Sequence, residues 1–368
     1  MIGVTGTDGK TTTVNMIYRI LKDAGIKASM VSTVNAEVGG KVVDTGFHVT
    51  SPDPFSVQRF ARQALDHGDE LLVLEVTSHA LDQYRFWGVK FDVGVITNIG
   101  HEHLDYHKTF ENYRMTKFSL LNGVKLAVIN EDLYQNDVRS HTIMINGKTV
   151  TFGIDAGDFN QKDLKLKLKV PGNYNVENAL AALAVTTNLG VDQNVAKKTL
   201  VNFQLPTGRM DEVKNNLGVR IFIDFAHTPN GLAAAISALR DLKPKKIISL
   251  IGAEGYRDVG KRAMMGEIAQ KLSDYVIATE VDSRGLIDTI NEQIKSGALK
   301  SGAKEGQNFF IIKDRTAAID FAINTLAKKG DIVAVFGKGH EQSMNVDGKS
   351  EVAWSDFTVV QTALQNGR

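Results

Sequence analysis

The chain has 368 residues, enough for two or three domains, and its 43 basic and 42 acidic side chains leave a formal net charge of +1. This balance gives no electrostatic footprint for nucleic acid or an anionic membrane, so any phosphate binding must come from local sites. The absence of cysteine excludes disulfides, thiolate-ligated zinc and thiol nucleophiles.

The first residues of the chain, MIGVTGTDGK, do not resemble a secretory leader. They contain no basic segment followed by an apolar one. No apolar run in the chain approaches the roughly 18 residues that a membrane-spanning helix needs. We therefore expect a cytoplasmic protein whose substrates are small molecules, with no nucleic-acid and no membrane partner.

The segment from Gly3 to Thr13, GVTGTDGKTTT, has the character of a phosphate-binding loop. A short strand, small residues, and Lys and Thr at the start of a helix place backbone N–H groups and a helix dipole around phosphate oxygens. In such a loop Lys10 contacts the β- and γ-phosphates and the Thr11 hydroxyl binds Mg²⁺. The general pattern requires Gly where this chain has Val4, so a tight turn before a helix remains an alternative for this segment alone.

Short apolar segments alternate with amphipathic stretches of helical length, which is typical of a parallel α/β sheet. Two of the predicted helices are Pro229–Leu242 and Arg315–Lys328. The segments predicted as buried strands are 70–77, 91–99, 219–227, 245–253, 274–281, 308–314 and 331–339.

The chain is predicted to contain two α/β domains. The sequence QLPTGRMD (204–211) follows a helical pattern and precedes a new series of strands, so we place the boundary there, giving domains 1–205 and 206–368. A polar stretch at about 140–170, which includes the alternating DLKLKLKV, predicts a small antiparallel addition to the first domain. The predicted architecture is a P-loop mononucleotide-binding central domain followed by a Rossmann-like C-terminal domain.

An ordered series of motifs resembles the Mur ligase superfamily, and most of all its MurE branch. The resemblance runs from Gly3 to about Asp356. The motifs are TGTDGKTTT (5–13), EVTSHALDQYR (75–85), TNIGHEHLDYH (97–107), TFENYRMTK (109–117), NYNVENALAA (173–182), TGRMD (207–211), DFAHTPNGL (224–232), GYRDVGKR (255–262) and GKGHE (337–341).

The resemblance implies an ATP-dependent ligase of peptidoglycan synthesis that adds an amino acid to UDP-N-acetylmuramoyl-dipeptide through an acyl phosphate. ATP and two Mg²⁺ sites are the implied cofactors. Such chemistry needs charge neutralisation and alignment more than proton abstraction, so cations and metal ligands should line the site. The implied nucleotide contacts are Gly6, Thr7, Gly9, Lys10, Thr11, Thr12, Asn178, Arg209, Asp224 and His227.

The implied metal ligands follow from the same resemblance. Thr11 and Glu75 would hold the Mg²⁺ between the phosphates, and His103 would help hold the second. Lys117 matches a lysine that many Mur ligases carry as a CO₂-derived carbamate, although a lysine in such a helix is by default solvated. Glu102 stands where the family usually has Asp. The segment HEHLDYH alone also permits surface histidines or a zinc site.

The C-terminal motifs imply where the incoming amino acid binds. Arg257, Arg284, Gly337 and Glu341 match residues that hold meso-diaminopimelate in MurE enzymes, and an arginine fork suits its second carboxylate. However, VDSR (281–284) replaces the family's DNPR, so Asp282 places an acid where an amide is usual. The resemblance favours meso-diaminopimelate over lysine or another diamino acid.

Two further expectations concern the nucleotide-sugar peptide. Thr50 and Ser51 in HVTSPDP (48–54), with Thr77 and Arg85, are candidate contacts, although Ser and Thr before Pro are also common in turns and caps.

Enzymes of the MurE branch have a domain of roughly a hundred residues, which binds uridine diphosphate, before the segment that resembles this chain. That domain is expected to be absent here. A shortened chain, a misplaced start codon, a separately encoded domain on a partner chain, or a homologue with another acyl substrate would each explain this. Three functions therefore remain open: a MurE-type ligase, another amide ligase of the superfamily such as a folylpolyglutamate synthase, or a nucleotide-binding subunit that acts through a partner.

Overall fold

The computed structural model describes residues 1–43, 51–139 and 143–366. The chain forms two compact units, one made of Met1–Gly100 and His107–Pro206, the other of His101–Tyr106 and Thr207–Arg368. The short segment His101–Tyr106 thus belongs to the second unit, although its neighbours in sequence belong to the first. In the described part of the chain no helix is long and apolar enough to cross a membrane.

The first unit is built on a mostly parallel sheet. In the described residues the strand order is β4-β3-β2-β5-β1-β6-β7-β8-β9, and only β3 and β4 run antiparallel to their neighbours. Strand β1 lies between β5 and β6, so the loop that follows it opens at the middle of the sheet's carboxyl edge. The strands are β1 (Ile2–Thr5), β2 (Ala28–Val31), β3 (Ala36–Val38), β4 (Lys41–Val43), β5 (Leu71–Glu75), β6 (Val93–Ile96), β7 (Leu126–Asn130), β8 (Lys148–Gly153) and β9 (Phe159–Asn160).

Helices cover this sheet, and α1 packs closely against α8. The alanine- and leucine-rich face of α8 and the apolar face of α1 are almost wholly buried, and they form the main core with the central strands. A 3₁₀ turn at Ser119–Leu121 follows α5, and a π-helical segment at Tyr134–Val138 follows α6. The helices are α1 (Lys10–Asp23), α2 (Pro54–His67), α3 (Ser78–Asp82), α4 (Leu104–His107), α5 (Phe110–Phe118), α6 (Glu131–Leu133), α7 (Gln161–Leu164), α8 (Asn173–Asn188) and α9 (Gln193–Val201).

The predicted antiparallel addition at about 140–170 was wrong in position. The strands there, β8 and β9, pair in parallel with their neighbours, and the antiparallel strands are β3 and β4 at the opposite edge of the sheet. The alternation in residues 163–170 has another cause. Leu166 is buried in the main core, with Leu164 and Leu168 partly buried beside it, while the intervening lysines are exposed. The alternation of leucine and lysine therefore arises because one side of this segment is buried, although the segment is not a strand.

The second unit has a six-stranded sheet in the described residues, ordered β10-β11-β15-β12-β13-β14, in which only β10 runs antiparallel. A separate two-stranded hairpin is formed by β16 and β17. The predicted strands of this region are confirmed, with slightly shorter bounds. The strands are β10 (Asp211–Val213), β11 (Arg220–Asp224), β12 (Ile247–Ile251), β13 (Tyr275–Ala278), β14 (Phe309–Ile311), β15 (Ile332–Phe336), β16 (Ser343–Met344) and β17 (Val352–Ala353).

The helices of the second unit follow its parallel strands. A threonine N-cap at Thr228, followed by Pro229 as the first helical residue, starts α10. The helix predicted at 315–328 begins at Arg315 but becomes π-helical over Phe321–Leu326. The helices are α10 (Pro229–Asp241), α11 (Gly260–Leu272), α12 (Ile287–Lys300), α13 (Arg315–Asp320) and α14 (Asp356–Asn366).

Candidate active site

The loop after β1 folds as a phosphate cradle would. Gly9 precedes α1 with φ 82°, a left-handed conformation that glycine adopts without strain. The Lys10 ammonium folds back over the loop and donates to the backbone oxygens of Gly6, at 3.1 Å, and Thr7, at 2.8 Å. The lysine charge therefore already lies above the loop in which phosphates would sit.

Two glycines of this loop allow close packing against neighbouring polar side chains. A Cβ on Gly6 would collide with the Thr97 hydroxyl, and a Cβ on Gly9 would collide with the Asn178 amide. The Thr97 Oγ1 donates to the Asp8 carbonyl at 2.6 Å, which holds the loop close to the end of β6. Larger residues at either glycine would push the loop away from these partners.

The Thr11 hydroxyl and the Glu75 carboxylate lie together at the carboxyl edge of the sheet. Thr11 Oγ1 donates to both Glu75 oxygens, at 3.1 and 2.9 Å, and the backbone N–H of Thr33 donates to Oε2 at 2.9 Å. Glu75 is 3% exposed, and Thr11 and Thr12 are each 5% exposed. A hydroxyl and a carboxylate are hard oxygen donors, the ligand type that Mg²⁺ prefers, so this pair fits the ion implied by the sequence.

Lys117 reaches the same loop from α5. Its side chain is 1% exposed, and its Nζ donates to the Gly6 carbonyl at 2.7 Å. The ammonium also lies over the Tyr113 ring, 4.6 Å from the centroid. The Tyr113 hydroxyl is 2.9 Å from Thr7 Oγ1, and the Gly100 N–H donates to that same oxygen at 2.8 Å. Lys117 is therefore a buried residue of the site rather than a solvated helix residue.

Asn178, predicted to contact adenine, lies on α8 and is 4% exposed. Its Oδ1 accepts a hydrogen bond from the Thr13 hydroxyl at 3.3 Å. This contact fixes the amide against the first turns of α1. The adenine contact itself stays a prediction.

Ser51, Thr77 and Arg85, three of the residues predicted to contact the nucleotide-sugar peptide, converge in the structure. The Ser51 and Thr77 hydroxyl oxygens are 3.2 Å apart, and Arg85 Nη1 donates to the Ser51 carbonyl at 2.9 Å. Ser51 Oγ also donates to the Glu75 carbonyl at 3.1 Å, which joins this cluster to the end of β5. Thr77 is also the N-cap of α3, which is the alternative role that the sequence allowed for this threonine. The fourth residue, Thr50, lies outside the described residues.

The segment 101–106 contacts the rest of the second unit through one ion pair and one histidine–carboxylate contact. Lys261 Nζ lies 3.0 Å from Glu102 Oε1, and both side chains are at most 5% exposed. His101 Nε2 lies 3.2 Å from Asp258 Oδ2. The glutamate that replaces the family's usual aspartate is thus paired with a lysine of GYRDVGKR.

His103, predicted to be a metal ligand, has φ 56°, a left-handed conformation that is uncommon outside glycine. Among the described residues, no three His, Asp or Glu side chains are grouped to hold a metal ion. A threonine hydroxyl is not among those side chains, so the Thr11–Glu75 pair is a separate arrangement, one in which ATP phosphates would supply further ligands.

In the second unit, the residues predicted to contact the nucleotide meet at the end of β11. Asp224 accepts backbone N–H bonds from Met210, at 2.7 Å, and Ala226, at 2.8 Å. The Arg209 guanidinium lies over the Phe225 ring, 4.4 Å from its centroid.

Two histidine rings at the end of β11 also pack against the Phe225 ring, which we call the aromatic platform. The His227 and His340 rings lie 4.6 and 5.3 Å from the Phe225 ring, centroid to centroid. His227 Nδ1 is 2.9 Å from the Phe225 carbonyl, and Arg209 Nη1 is 3.4 Å from His340 Nδ1. The platform therefore unites two of the predicted contacts, Arg209 and His227, with a histidine of GKGHE that the sequence analysis had not assigned.

The residues predicted to hold the amino acid follow strands β12, β13 and β15, whose carboxyl ends share one edge of the sheet. Asp282 and Glu341 both pair with one lysine, Lys338, each at 2.7 Å. Gly337 adopts φ 106° where β15 ends, and its N–H donates to the Asp224 carbonyl at 3.0 Å.

The two predicted arginines lie beside this group. Arg257 Nε is 3.1 Å from Glu254 Oε2, and Arg284 Nη1 donates to the Gly255 carbonyl at 3.2 Å. Burial alone would raise the pKa of Glu254, but Lys261, His227 and Arg257 outweigh it and hold that pKa below its usual value.

The altered VDSR motif forms a left-handed turn. Asp282 has φ 45° and Arg284 has φ 51°. Ser283 donates its N–H and its hydroxyl to the Glu280 carboxylate, with the hydroxyl bond at 2.6 Å. Burial raises the pKa of Glu280, although the bonds from Ser283 oppose that shift. These two bonds hold the turn without the proline of the family pattern.

Sequence reasoning missed several buried cations of this unit, among them Lys338 and Arg315. Lys338 was passed over inside GKGHE, although a lysine between two glycines at the end of a buried strand is an unusual placement. Arg315 was read only as the start of a helix, yet it is 1% exposed and pairs with Asp356 through two bonds of 2.8 and 2.7 Å. No pattern local to Arg315 indicates a partner 41 residues away.

Comparisons with known proteins agree with this geometry. Sequence profiles of the Mur ligase middle domain and of the Mur ligase glutamate ligase domain match residues 4–186 and 208–339. The UDP-N-acetylmuramoyl-L-alanyl-D-glutamate–2,6-diaminopimelate ligase of Clostridium tetani (strain Massachusetts / E88) is 34% identical over 93% of this chain and 73% of its own length.

Solved structures give the same result. A UDP-N-acetylmuramoyl-L-alanyl-D-glutamate–2,6-diaminopimelate ligase superposes with a TM-score of 0.61 at 26% identity, covering 99% of this chain and 78% of that one. Mycobacterium tuberculosis folylpolyglutamate synthase, complexed with ADP and AMPPCP, superposes with a TM-score of 0.62 at 15% identity, covering 91% of this chain and 88% of that one. The latter likeness concerns the fold alone.

A loop shaped like a phosphate cradle at the centre of one mostly parallel sheet, followed by a second mostly parallel sheet with ionic groups at its carboxyl edge, is the arrangement of an α/β nucleotide-binding protein. The chain belongs to the Mur ligase family, whose enzymes form amide bonds at the expense of ATP.

Proposed function

We propose that this chain is a MurE-type ligase, which uses ATP to join a diamino acid to UDP-N-acetylmuramoyl-dipeptide, with meso-diaminopimelate favoured over lysine. The observation that carries the proposal is the Thr11–Glu75 pair beside the loop that holds Lys10. The relative from Clostridium tetani is named for the addition of 2,6-diaminopimelate, which supports the choice of acceptor.

The reaction has two displacements. The carboxylate of the dipeptide attacks the γ-phosphorus of ATP, so that ADP leaves and an acyl phosphate forms. The amino group of the diamino acid then attacks the acyl carbon, phosphate leaves, and the nitrogen loses a proton. Both steps move negative charge, so catalysis depends on placed cations and alignment.

The first unit would supply the groups around the phosphates. Lys10 would turn from the Gly6 and Thr7 carbonyls to the β- and γ-phosphates, a short movement because its Nζ already lies above the loop. Thr11 and Glu75 would hold a Mg²⁺ ion. That ion, when bound, neutralises charge on the phosphate oxygens. Asn178, Arg209, Asp224 and His227 are proposed to bind the rest of the nucleotide.

Lys117 is proposed to carry a carbamate. Its buried Nζ lies against the Gly6 carbonyl, beside the phosphate loop, where a negatively charged group could hold a second Mg²⁺. His103 is proposed separately as a metal ligand. Carbamate formation joins the neutral amine to CO₂ and releases one proton. Lys117→Ala should abolish ligation, and formate should restore part of it, because a small carboxylate can replace the missing one. Full activity of the variant would contradict the carbamate.

The second unit would select the acceptor. Arg257 and Arg284 are proposed to bind the second carboxylate of meso-diaminopimelate, and Glu341 its distal ammonium. Ser51, Thr77 and Arg85 are proposed to contact the nucleotide-sugar peptide, because they form one cluster joined to the end of β5.

The decisive experiment measures phosphate release from ATP and Mg²⁺ with UDP-N-acetylmuramoyl-dipeptide in the presence of meso-diaminopimelate, lysine or no amino acid. Release that requires both the dipeptide and meso-diaminopimelate is the expected result. Equal release with lysine would contradict the choice of acceptor. No release from a chain that still binds ATP would contradict the proposal and favour either another acyl substrate or a partner chain that supplies a uridine diphosphate site.

A further inference from the structure

One lysine joins the two acidic residues of the proposed acceptor site. Lys338 Nζ lies 2.7 Å from Asp282 Oδ2 and 2.7 Å from Glu341 Oε2. Such charge-assisted bonds are short and strong, and breaking one leaves a buried charge without its partner. We call Asp282, Lys338 and Glu341 the acidic clamp.

The three side chains differ in access to solvent. The Lys338 side chain is 0% exposed, that of Asp282 is 9% exposed and that of Glu341 is 18% exposed. A ligand at the edge of the sheet therefore meets Glu341 first. Lys338 is fully buried behind Glu341, so a ligand cannot contact its side chain from solvent.

Asp282 uses both of its carboxylate oxygens inside the protein. Oδ2 pairs with Lys338, and Oδ1 accepts the backbone N–H of Asn345 at 2.7 Å. The Asn345 carbonyl in turn accepts the N–H of Arg284 at 3.1 Å. An asparagine at position 282 could accept only one of the two bonds, because its amide nitrogen is a donor and cannot pair with an ammonium.

The ionic balance agrees with this arrangement. Burial alone would lower the pKa of Lys338, but Glu341 and Asp282 raise it above its usual value, so the lysine stays charged. With Lys338 positive, the clamp carries a net charge of −1, since two carboxylates face one ammonium. Lys338 thus offsets the charge that the acid at position 282 adds, and the remaining negative charge is that of Glu341.

We propose that Lys338 is a positioning residue of the acceptor site: it ties Asp282 into the protein framework and aims the Glu341 carboxylate at the distal ammonium of the diamino acid. This inference rests on the function proposed above. Asp282 is thereby removed from direct contact with the substrate, and its acidic side chain becomes compatible with an acceptor that carries a second carboxylate. The aspartate of VDSR and the lysine of GKGHE work as a pair.

The test compares steady-state kinetics of the full chain with Asp282→Asn, Lys338→Met, Glu341→Gln and the double variant Asp282→Asn/Lys338→Met. Lys300→Met, at an exposed position on α12, is the control. Each variant is assayed for KM of meso-diaminopimelate, KM of ATP and kcat, and its thermal unfolding is recorded.

The expected pattern separates the roles. Lys338→Met and Glu341→Gln should each raise the KM for meso-diaminopimelate by about tenfold or more, with the KM for ATP changed by less than about twofold. Asp282→Asn should change the KM for meso-diaminopimelate by less than about threefold, because Glu341 keeps its lysine. The double variant should unfold at a higher temperature than Lys338→Met, since it leaves one unpaired carboxylate rather than two.

Three results would overturn the inference. A KM increase for Asp282→Asn as large as that for Glu341→Gln would place Asp282 on the substrate. A lower kcat for Lys338→Met with both KM values unchanged would show that Lys338 serves only the stability of the fold. A double variant no more stable than Lys338→Met would mean that the charges are not coupled. If the wild-type chain releases no phosphate in response to a diamino acid, the proposed function itself is contradicted, and the inference falls with it.

Discussion

At the carboxyl edges of the two sheets, the lysine ammonium groups have different hydrogen-bond acceptors. In the first unit, Lys10 and Lys117 both donate to the Gly6 carbonyl oxygen. In the second unit, Lys338 lies between the carboxylates of Asp282 and Glu341. A carbonyl dipole offsets an ammonium far less than a carboxylate does, so Lys10 keeps its positive charge for an anionic ligand.

The difference separates stability from function. Ion pairs that satisfy each other hold the second unit together, and removal of one member leaves a buried charge. Cations that rest on carbonyls add less to stability but remain available to phosphate. Substitution of Lys10 should therefore act mainly on catalysis, whereas substitution of a buried pair that takes no part in the proposed acceptor site, such as Arg315–Asp356, should act mainly on folding.

The largest expected effect is on catalysis at the first edge. Lys10→Met should lower kcat/KM by about a thousandfold, because the charge nearest the transferred phosphoryl group is lost. The free energy of unfolding should change by less than about 0.5 kcal/mol. Phosphate release and urea unfolding measure the two quantities, and Lys22→Met, exposed on the same helix, is the control. A large loss of stability in Lys10→Met would contradict the view that this lysine serves catalysis rather than folding.

The next effect is on stability in the second unit. Arg315→Met should lower the free energy of unfolding by about 3–5 kcal/mol, because it leaves Asp356 charged and fully buried. Arg220, paired with Glu212 on the surface, provides the matched control, and Arg220→Met should cost no more than about 1 kcal/mol. Urea unfolding of both variants checks the difference. Similar losses for the two arginines would show that burial does not decide the value of these pairs.

A smaller effect sharpens the role of the arginines. Arg284→Ala should lower kcat/KM for meso-diaminopimelate about tenfold more than for lysine, because only the former has a second carboxylate. The ratio of the two kcat/KM values is unaffected by a fraction of unfolded protein, which matters because alanine at φ 51° is strained. An unchanged ratio would remove Arg284 from side-chain selection.

The smallest effect concerns pH. The pKa of Glu254 lies below its usual value in the folded chain, so its carboxylate stabilises the fold above about pH 4.5, and this contribution is lost as the pH falls through the folded pKa. Glu254→Gln should therefore lower the free energy of unfolding by about 1 kcal/mol at pH 7 and by less below pH 4. Urea unfolding at both pH values tests this. A constant difference would show that Glu254 does not titrate with folding.

Much of the fold could be predicted because its strands are buried on both faces and read as continuous apolar runs. The Thr11–Glu75 contact was also predictable, since a P-loop helix and a neighbouring strand end must meet at one edge. The alternation at 163–170 misled because periodic burial does not require a pairing partner. In that segment Leu166 enters the core from an unpaired stretch of chain.

The ionic network of the second unit could not be predicted from local patterns. Lys338 and Asp282 are 56 residues apart in sequence and meet only because β13 and β15 end at the same edge. The comparison with the family pattern identified Asp282 as a departure, but it did not identify the residue that offsets the charge of this aspartate. That compensation depends on which side chains share a buried space, and burial of this kind is a property of the folded chain.

The resting position of Lys10 also bears on which phosphates the loop accepts. Two hydrogen bonds, to Gly6 and Thr7, compete with a ligand for this ammonium, and each is worth about 1 kcal/mol net. A triphosphate carries more negative charge than inorganic phosphate and so competes better for the lysine. The Gly6 carbonyl then passes to Lys117 alone. We therefore expect the loop to favour a triphosphate over inorganic phosphate.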